Sequence, residues 1–237
     1  MLIYYKIYLT FYLNYRILNC EKKHNHMNKK TPQPTIIRLC SIYQLLCNLE
    51  KEGVIKVSSA ELEEKTGVPS HSIRKDISFI GGAAGSKGSG YEVGKLKQRI
   101  LNNLGFNRER KVCIVGLGRL GSAIIQWQSM AEGEFRIVAG FDSDINKVET
   151  IKTSISVFPS HELPDVVKRM GIELGIIAVP PAHAQEVADR LMEVGIQGIV
   201  NFAPAIIKSR RNDCFIRNMD IAGELRILSA AIEKQSP

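Results

Sequence analysis

The sequence predicts an α/β protein in which a helical amino-terminal domain precedes a doubly wound parallel sheet and a single terminal helix. Three observations carry that expectation. Apolar residues recur at helical spacing between turn residues over 35–80; a short apolar run meets a glycine turn at Lys111–Gly121; and strand and helix patterns alternate from there to about residue 219. The 237 residues, 44% hydrophobic and 24% charged, suffice for two domains with cores of their own. Charge is divided unevenly between them. Residues 1–110 carry 18 Lys and Arg against 9 Asp and Glu, a net of +9, and residues 111–237 carry 14 against 15, a net of −1, which together make the +8 of the whole chain. The basic part is therefore the one suited to a polyanionic partner.

Residues 1–34 read as an extension without fixed structure. Met1–Leu18 is rich in Tyr, Ile and Leu, but Lys6, Asn14 and Arg16 interrupt it and no small-residue cleavage site follows. It is neither a signal peptide nor a membrane span, and no stable membrane association is expected, the alternative being a peripheral amphipathic contact. Residues 19–34 are polar and basic and end in Thr31-Pro32-Gln33-Pro34, and Met27 is an alternative first residue. The five cysteines, at 20, 40, 47, 113 and 214, form no C-x-x-C pair and read as small core residues of a reduced, cytoplasmic protein. Cys20, His24 and His26 lack a standard ligand spacing, so no metal is expected.

Residues 35–107 read as a winged-helix DNA-binding domain. Ile36, Leu39, Ile42, Tyr43, Leu46 and Leu49 form one stripe of a helix that Gly53 ends, with a cap expected at each end. Ser58 or Ser59 caps a short helix carrying Leu62; Thr66-Gly67-Val68-Pro69 turns the chain; and Ser70 opens a further helix to about Ile80. Two helices joined by a turn containing glycine make a helix-turn-helix. Ser70, His71, Ser72, Arg74 and Lys75 stand near the start of its second helix, the end that meets phosphates and base edges in a major groove. The loop Gly81–Tyr91, rich in glycine, has the form of a wing with Lys87 at its tip, suited to a minor groove. Val93–Leu104 is one more helix.

Residues 108–219 begin with Val112–Val115, a strand of the kind buried on both faces, which stops at Gly116-Leu117-Gly118-Arg119-Leu120-Gly121. A strand entering G-x-G-x-x-G and then a helix is the dinucleotide fingerprint. The first glycine makes the tight turn, the second admits a pyrophosphate to bare backbone, the third lets helix and strand pack closely, and the helix N-terminus offers N–H groups to the phosphates. A second strand, Phe135–Phe141, ends on Asp142, twenty-one residues beyond Gly121. An acid at that distance hydrogen-bonds adenosine ribose hydroxyls and repels a 2′-phosphate, which favours NAD(H) over NADP(H) and makes this a Rossmann-type domain. Residues 145–159 are weakly patterned. Helices over 162–170 and 182–194 alternate with strands over 172–179 and 196–202, and Val179, Pro180, Asn201 and Phe202 stand at strand ends, where such folds bind ligands. Phe215–Met219 is a candidate last strand. Residues 220–237 hold a terminal helix with Ile221, Leu225, Leu228 and Ile232 on one stripe, fit to pack on its own domain or to cross to a second subunit.

Taken together, Val57-Ser58-Ser59, Arg74–Phe79, Lys87–Tyr91, the glycine motif with Phe141–Asp144, Asn201–Pro204 and Asn218–Leu225 make the chain resemble the Rex family of redox-sensing transcriptional repressors over about Thr35–Glu233. The resemblance implies a homodimer with terminal helices swapped between subunits, NADH bound at its centre, and two winged helices on the double-stranded DNA of a palindromic operator, released as NADH rises relative to NAD+. It also implies a nicotinamide pocket, for which Trp127, Asp220 and Ile221 are the candidates. Trp127 replaces the family's usual Tyr, Ile221 an aromatic residue or Leu, and Gln44 an Arg that would pair with Asp220. Gln makes no ion pair and Trp has no hydroxyl, so the redox response is open to change while fold and DNA binding are kept. Phe79-Ile80-Gly81-Gly82 also lacks the usual second aromatic.

The rival class is an NAD-dependent oxidoreductase. Its acid or base would be His161 or His183, but no second substrate domain is in view and His183 follows Pro180-Pro181 at a helix start, so catalysis is not expected. A DNA-binding regulator that reads another nucleotide, such as a coenzyme A derivative, is the remaining alternative.

Overall fold

The computed structural model of the protein describes residues 31–81, 90–126 and 133–234. The chain divides into two compact units, Met1–Asn107 and Arg108–Pro237. In the first, α1 (Gln33–Lys51) starts before the expected Thr35, because Pro34 falls in the first turn, where a missing N–H breaks no helical bond. The expected cap at its start is corrected: Pro32 offers no side-chain bond there. Leu39, Ile42, Tyr43, Leu46 and Leu49 are buried on its inner face. β1 (Lys56–Val57) leads to α2 (Ser59–Thr66), whose N-cap Ser58 accepts from Glu61 N while the Glu61 carboxylate accepts from Ser58 N, a reciprocal capping box. Gly67, at φ 69°, ends α2, and α3 (Ser70–Phe79) follows the turn with Ile73 and Ile77 inward. β2 (Tyr91–Glu92) pairs antiparallel with β1, Val57 opposite Tyr91; the loop expected to form a wing lies mostly outside the described residues. α4 (Val93–Leu104) closes the unit through Val93, Leu96 and Ile100. Each fully buried Leu or Ile in this core contributes about 2 kcal/mol.

The second unit is a six-stranded, wholly parallel sheet. Its elements in chain order are β3 (Arg110–Val115), α5 (Arg119–Gln126), β4 (Phe135–Asp142), α6 (Ile145–Thr150), β5 (Ser156–Pro159), α7 (Leu163–Met170), β6 (Leu174–Ile177), α8 (Pro181–Glu193), β7 (Gly198–Asn201) and β8 (Phe215–Asn218). They lie in the order β5-β4-β3-β6-β7-β8. Residues 145–159, expected to be weakly patterned, thus hold a helix capped by Asp144 and an edge strand. Four residues are too few to show a period, and pairing to β4 alone makes β5 a strand. Cys113 is wholly buried in β3, where burial pushes its thiol up to about 12, and burial likewise raises the Cys214 thiol.

The carboxyl-terminal helix α9 (Ile221–Glu233) is capped by Asp220, which accepts from Gly223 N at 2.9 Å. Its apolar stripe is largely exposed. Ile221, Leu225, Leu228 and Ile232 are 61, 62, 37 and 65% exposed.

Candidate nucleotide site and nucleic-acid interface

β3 and β6 are neighbours whose following strands lie on opposite sides of the sheet, so a crevice opens past their carboxyl ends. The glycine turn forms its floor. Gly116 N donates to Phe141 O at 2.8 Å and Ala178 N to Val115 O at 2.8 Å, which draws the turn against the end of β6. Gly116 has φ 96°, and a Cβ on it would stand 2.5 Å from Ala178 O and 2.9 Å from Val179 Cγ1. A Cβ on Gly121 would lie 1.9 Å from Gly116 O, so only glycine lets α5 sit this close. Around Gly118 the same construction meets nothing within 4 Å. Two glycines therefore serve close packing and the middle one leaves backbone bare to the crevice, as a phosphate cradle requires. Leu117 points inward beneath Gly140, while Arg119 and Leu120 are exposed in the first turn of α5.

Asp142 ends β4 with its side chain nearly buried, and its two oxygens are both engaged. Oδ2 accepts from Leu117 N at 2.8 Å and Oδ1 from Asp144 N at 2.9 Å, while Lys147 Nζ stands 3.8 Å from Oδ2. The carboxylate thus holds the glycine turn in place and, having about four acceptor directions, still has capacity for ribose hydroxyls. Val179 packs at the turn, and Pro180, exposed, opens α8. Phe202 packs with Leu117 and Ile114 in the core under the turn.

Asn201 is wholly buried and its amide is committed elsewhere. Nδ2 donates to Ala205 O at 2.7 Å and to Asn218 Oδ1 at 2.9 Å, and Oδ1 accepts from Ala203 N at 3.0 Å, so it fastens the loop after β7 to β8. Asp220 and Ile221 lie past the carboxyl end of β8, the edge strand two places from β6, and both are exposed. Trp127 is outside the described residues.

In the first unit, Arg74 and Lys75 are exposed on α3, together with His71. Arg74 Nη1 donates to Ser59 Oγ at 3.0 Å, which joins the recognition helix to the first residue of α2. Ser58 caps α2, and Ser72 is half-buried. Ser70 N donates to Glu63 Oε2 at 3.0 Å, and bonds from the Ser70 side chain and backbone hold the Glu63 carboxyl below its ordinary range. Lys87 is outside the described residues.

A buried charge cluster not evident among the site residues of the sequence holds α3 from behind. Asp76 faces inward from α3, 3% exposed in its side chain, and accepts from Arg38 Nε at 2.5 Å, Arg38 Nη2 at 2.8 Å and Thr35 Oγ1 at 3.0 Å. The bond to Asp76 raises the Arg38 guanidinium further above its ordinary value. The signal was available: Asp76 shares an i, i+3, i+4 stripe with Ile73 and Ile77, and a charge in such a stripe requires a buried partner.

Residues 30–78 match the family model described as the putative DNA-binding protein N-terminus, and residues 107–205 match the CoA binding domain. A redox-sensing transcriptional repressor, Rex 1 of Thermotoga maritima, is 40% identical over 211 residues, covering 89% of this chain and all of that one. The chain belongs to the Rex family. A Rex protein of Carboxydothermus hydrogenoformans is 38% identical over 86% of this chain and 98% of its own. Among solved structures, RSP, a Rex-family repressor, superposes with a TM-score of 0.77 at 30% identity over 88% of this chain and 97% of its own. RSP has also been solved with β-NADH, and with β-NAD+ and operator DNA, the last at a TM-score of 0.78. These Rex relatives are named as transcriptional repressors, not as enzymes. Among the described residues no helix is long and apolar enough to cross a membrane.

Proposed function

We propose that the protein is a cytoplasmic, homodimeric repressor that holds a palindromic operator when NADH is low and releases it when NADH binds. The observation that carries this reading is the bare Gly118 backbone beside an Asp142 carboxylate already tied to Leu117 N, in a chain whose other unit presents Arg74 and Lys75 on a recognition helix. Pyrophosphate lies on the glycine turn and the amino end of α5, and the ribose lies against Asp142. Lys87 at the wing tip adds a minor-groove contact. Val179 and Pro180 border the nicotinamide half. Trp127, Asp220 and Ile221 line the ring's pocket at the dimer centre, where the one-charge difference between NAD+ and NADH is read. The exposed stripe of α9 packs across the partner subunit. Asn201 acts by shaping the loop after β7 and not by touching the cofactor.

The switch is a coupling of two equilibria. NADH lowers DNA affinity only if it prefers the arrangement that does not fit the operator, and DNA then weakens NADH binding by the same factor. The family model's description favours a coenzyme A derivative as a second reading. Fluorescence anisotropy on a labelled palindromic operator at fixed salt, with NADH, NAD+, NADPH or coenzyme A added separately, tests both. Release by NADH alone is expected. Release by coenzyme A alone would establish the second reading, and indifference to all four would leave a DNA-binding protein without a nucleotide switch. Arg74→Ala serves as the control: operator affinity falls about 10- to 100-fold while the NADH Kd stays put.

A further inference from the structure

An acid at the end of the second strand excludes a 2′-phosphorylated dinucleotide by repulsion most strongly when its charge stands alone. Here it does not. Lys147, in α6, brings its ammonium within 3.8 Å of Asp142 Oδ2, and its side chain is half exposed. Asp142 itself is nearly buried and cannot turn away, since Leu117 N and Asp144 N fix both of its oxygens. The flexible member of the pair is therefore the lysine. Four carbons of stem let its ammonium swing from the carboxylate to an anion arriving beside it.

We propose that Lys147 sets how strongly the site rejects NADP(H), both by neutralising part of the Asp142 charge and by offering its own ammonium to a 2′-phosphate. The inference rests on the nucleotide site described above. It makes discrimination a balance between a fixed anion and a mobile cation: NADH keeps its hydrogen-bond acceptor, while NADPH meets a weaker field than a lone carboxylate would present. The same balance makes the preference dependent on salt, because the exposed ammonium is screened more readily than the enclosed carboxylate.

The test is isothermal titration of the full chain with NADH and with NADPH, for the native protein, Lys147→Gln and Lys147→Glu. The ratio of the NADPH Kd to the NADH Kd is expected to rise about threefold to tenfold in Lys147→Gln and further in Lys147→Glu. A ratio that stays at the native value in both variants, with NADH still binding, overturns the role of Lys147 and leaves the nucleotide site standing. A native protein that binds neither dinucleotide overturns the site itself, and this inference with it.

Discussion

At the scale of single residues, the Thr35, Arg38 and Asp76 cluster shows how a charge is made useful by being placed out of water. Asp76 is 3% exposed and Arg38 28%, so the two partners do not suffer equally when separated. In Asp76→Ala the guanidinium can hydrate, at a cost of about 2 kcal/mol, whereas Arg38→Ala strands a carboxylate in the core and costs about 3 kcal/mol or more. Urea denaturation followed by far-ultraviolet circular dichroism is expected to give that order; the reverse order would mean that Arg38 matters mainly through packing of its stem. Operator affinity should fall in both, because α3 loses the tie that fixes the direction of Arg74.

At the scale of elements, α9 presents an apolar stripe largely to solvent. Leu225 and Leu228 belong to a stripe that its own unit leaves in water. On the proposed homodimer, changing both to Asp is expected to leave a monomer in sedimentation equilibrium while the sheet keeps its thermal stability. A dimer that survives would put the subunit contact elsewhere. The periodicity of α9 was plain in its sequence, as were the helix-turn-helix and the strand into Gly116, because each repeats a pattern over enough residues or uses a turn only glycine can make. β5 was not, since four residues at a sheet edge take their identity from β4. The bonds of Asn201 were hidden for a related reason: position at a strand end is legible, but the direction of an amide depends on Ala203, Ala205 and Asn218 arriving around it. Lys147 and Asp142 lie five residues apart, and only the fold brings their charges together.

At the scale of the whole molecule, both units carry carboxylates that lose their role in acid. In the second, bonds from the Arg108 side chain and the nearby charges of Arg108 and Arg110 depress Glu173, which accepts from Arg108 Nη1 at 2.7 Å and Arg110 Nη1 at 2.7 Å. In the first, the Ser58 backbone and side chain depress Glu61, and Ser70 depresses Glu63. A folded value below the unfolded value of about 4.3 means the stabilisation is complete above that pH and is lost as pH falls through the folded value. Thermal unfolding of Glu173→Gln should accordingly lie below the native protein at neutral pH and converge with it in acid; a constant gap at every pH would show that the charge is not what Arg108 and Arg110 use.

The enclosure of Cys113 and Cys214 bears on what kind of signal the molecule can carry. A thiol is attacked by peroxide as thiolate, and burial that pushes Cys113 up to about 12 keeps it protonated at neutral pH, with no exposed surface. Both thiols of the second unit are buried and held toward the unreactive protonated form. On the proposed reading, the second unit then reports the state of the cell by occupancy, and its report lapses when the nucleotide departs, without a reductase to erase it.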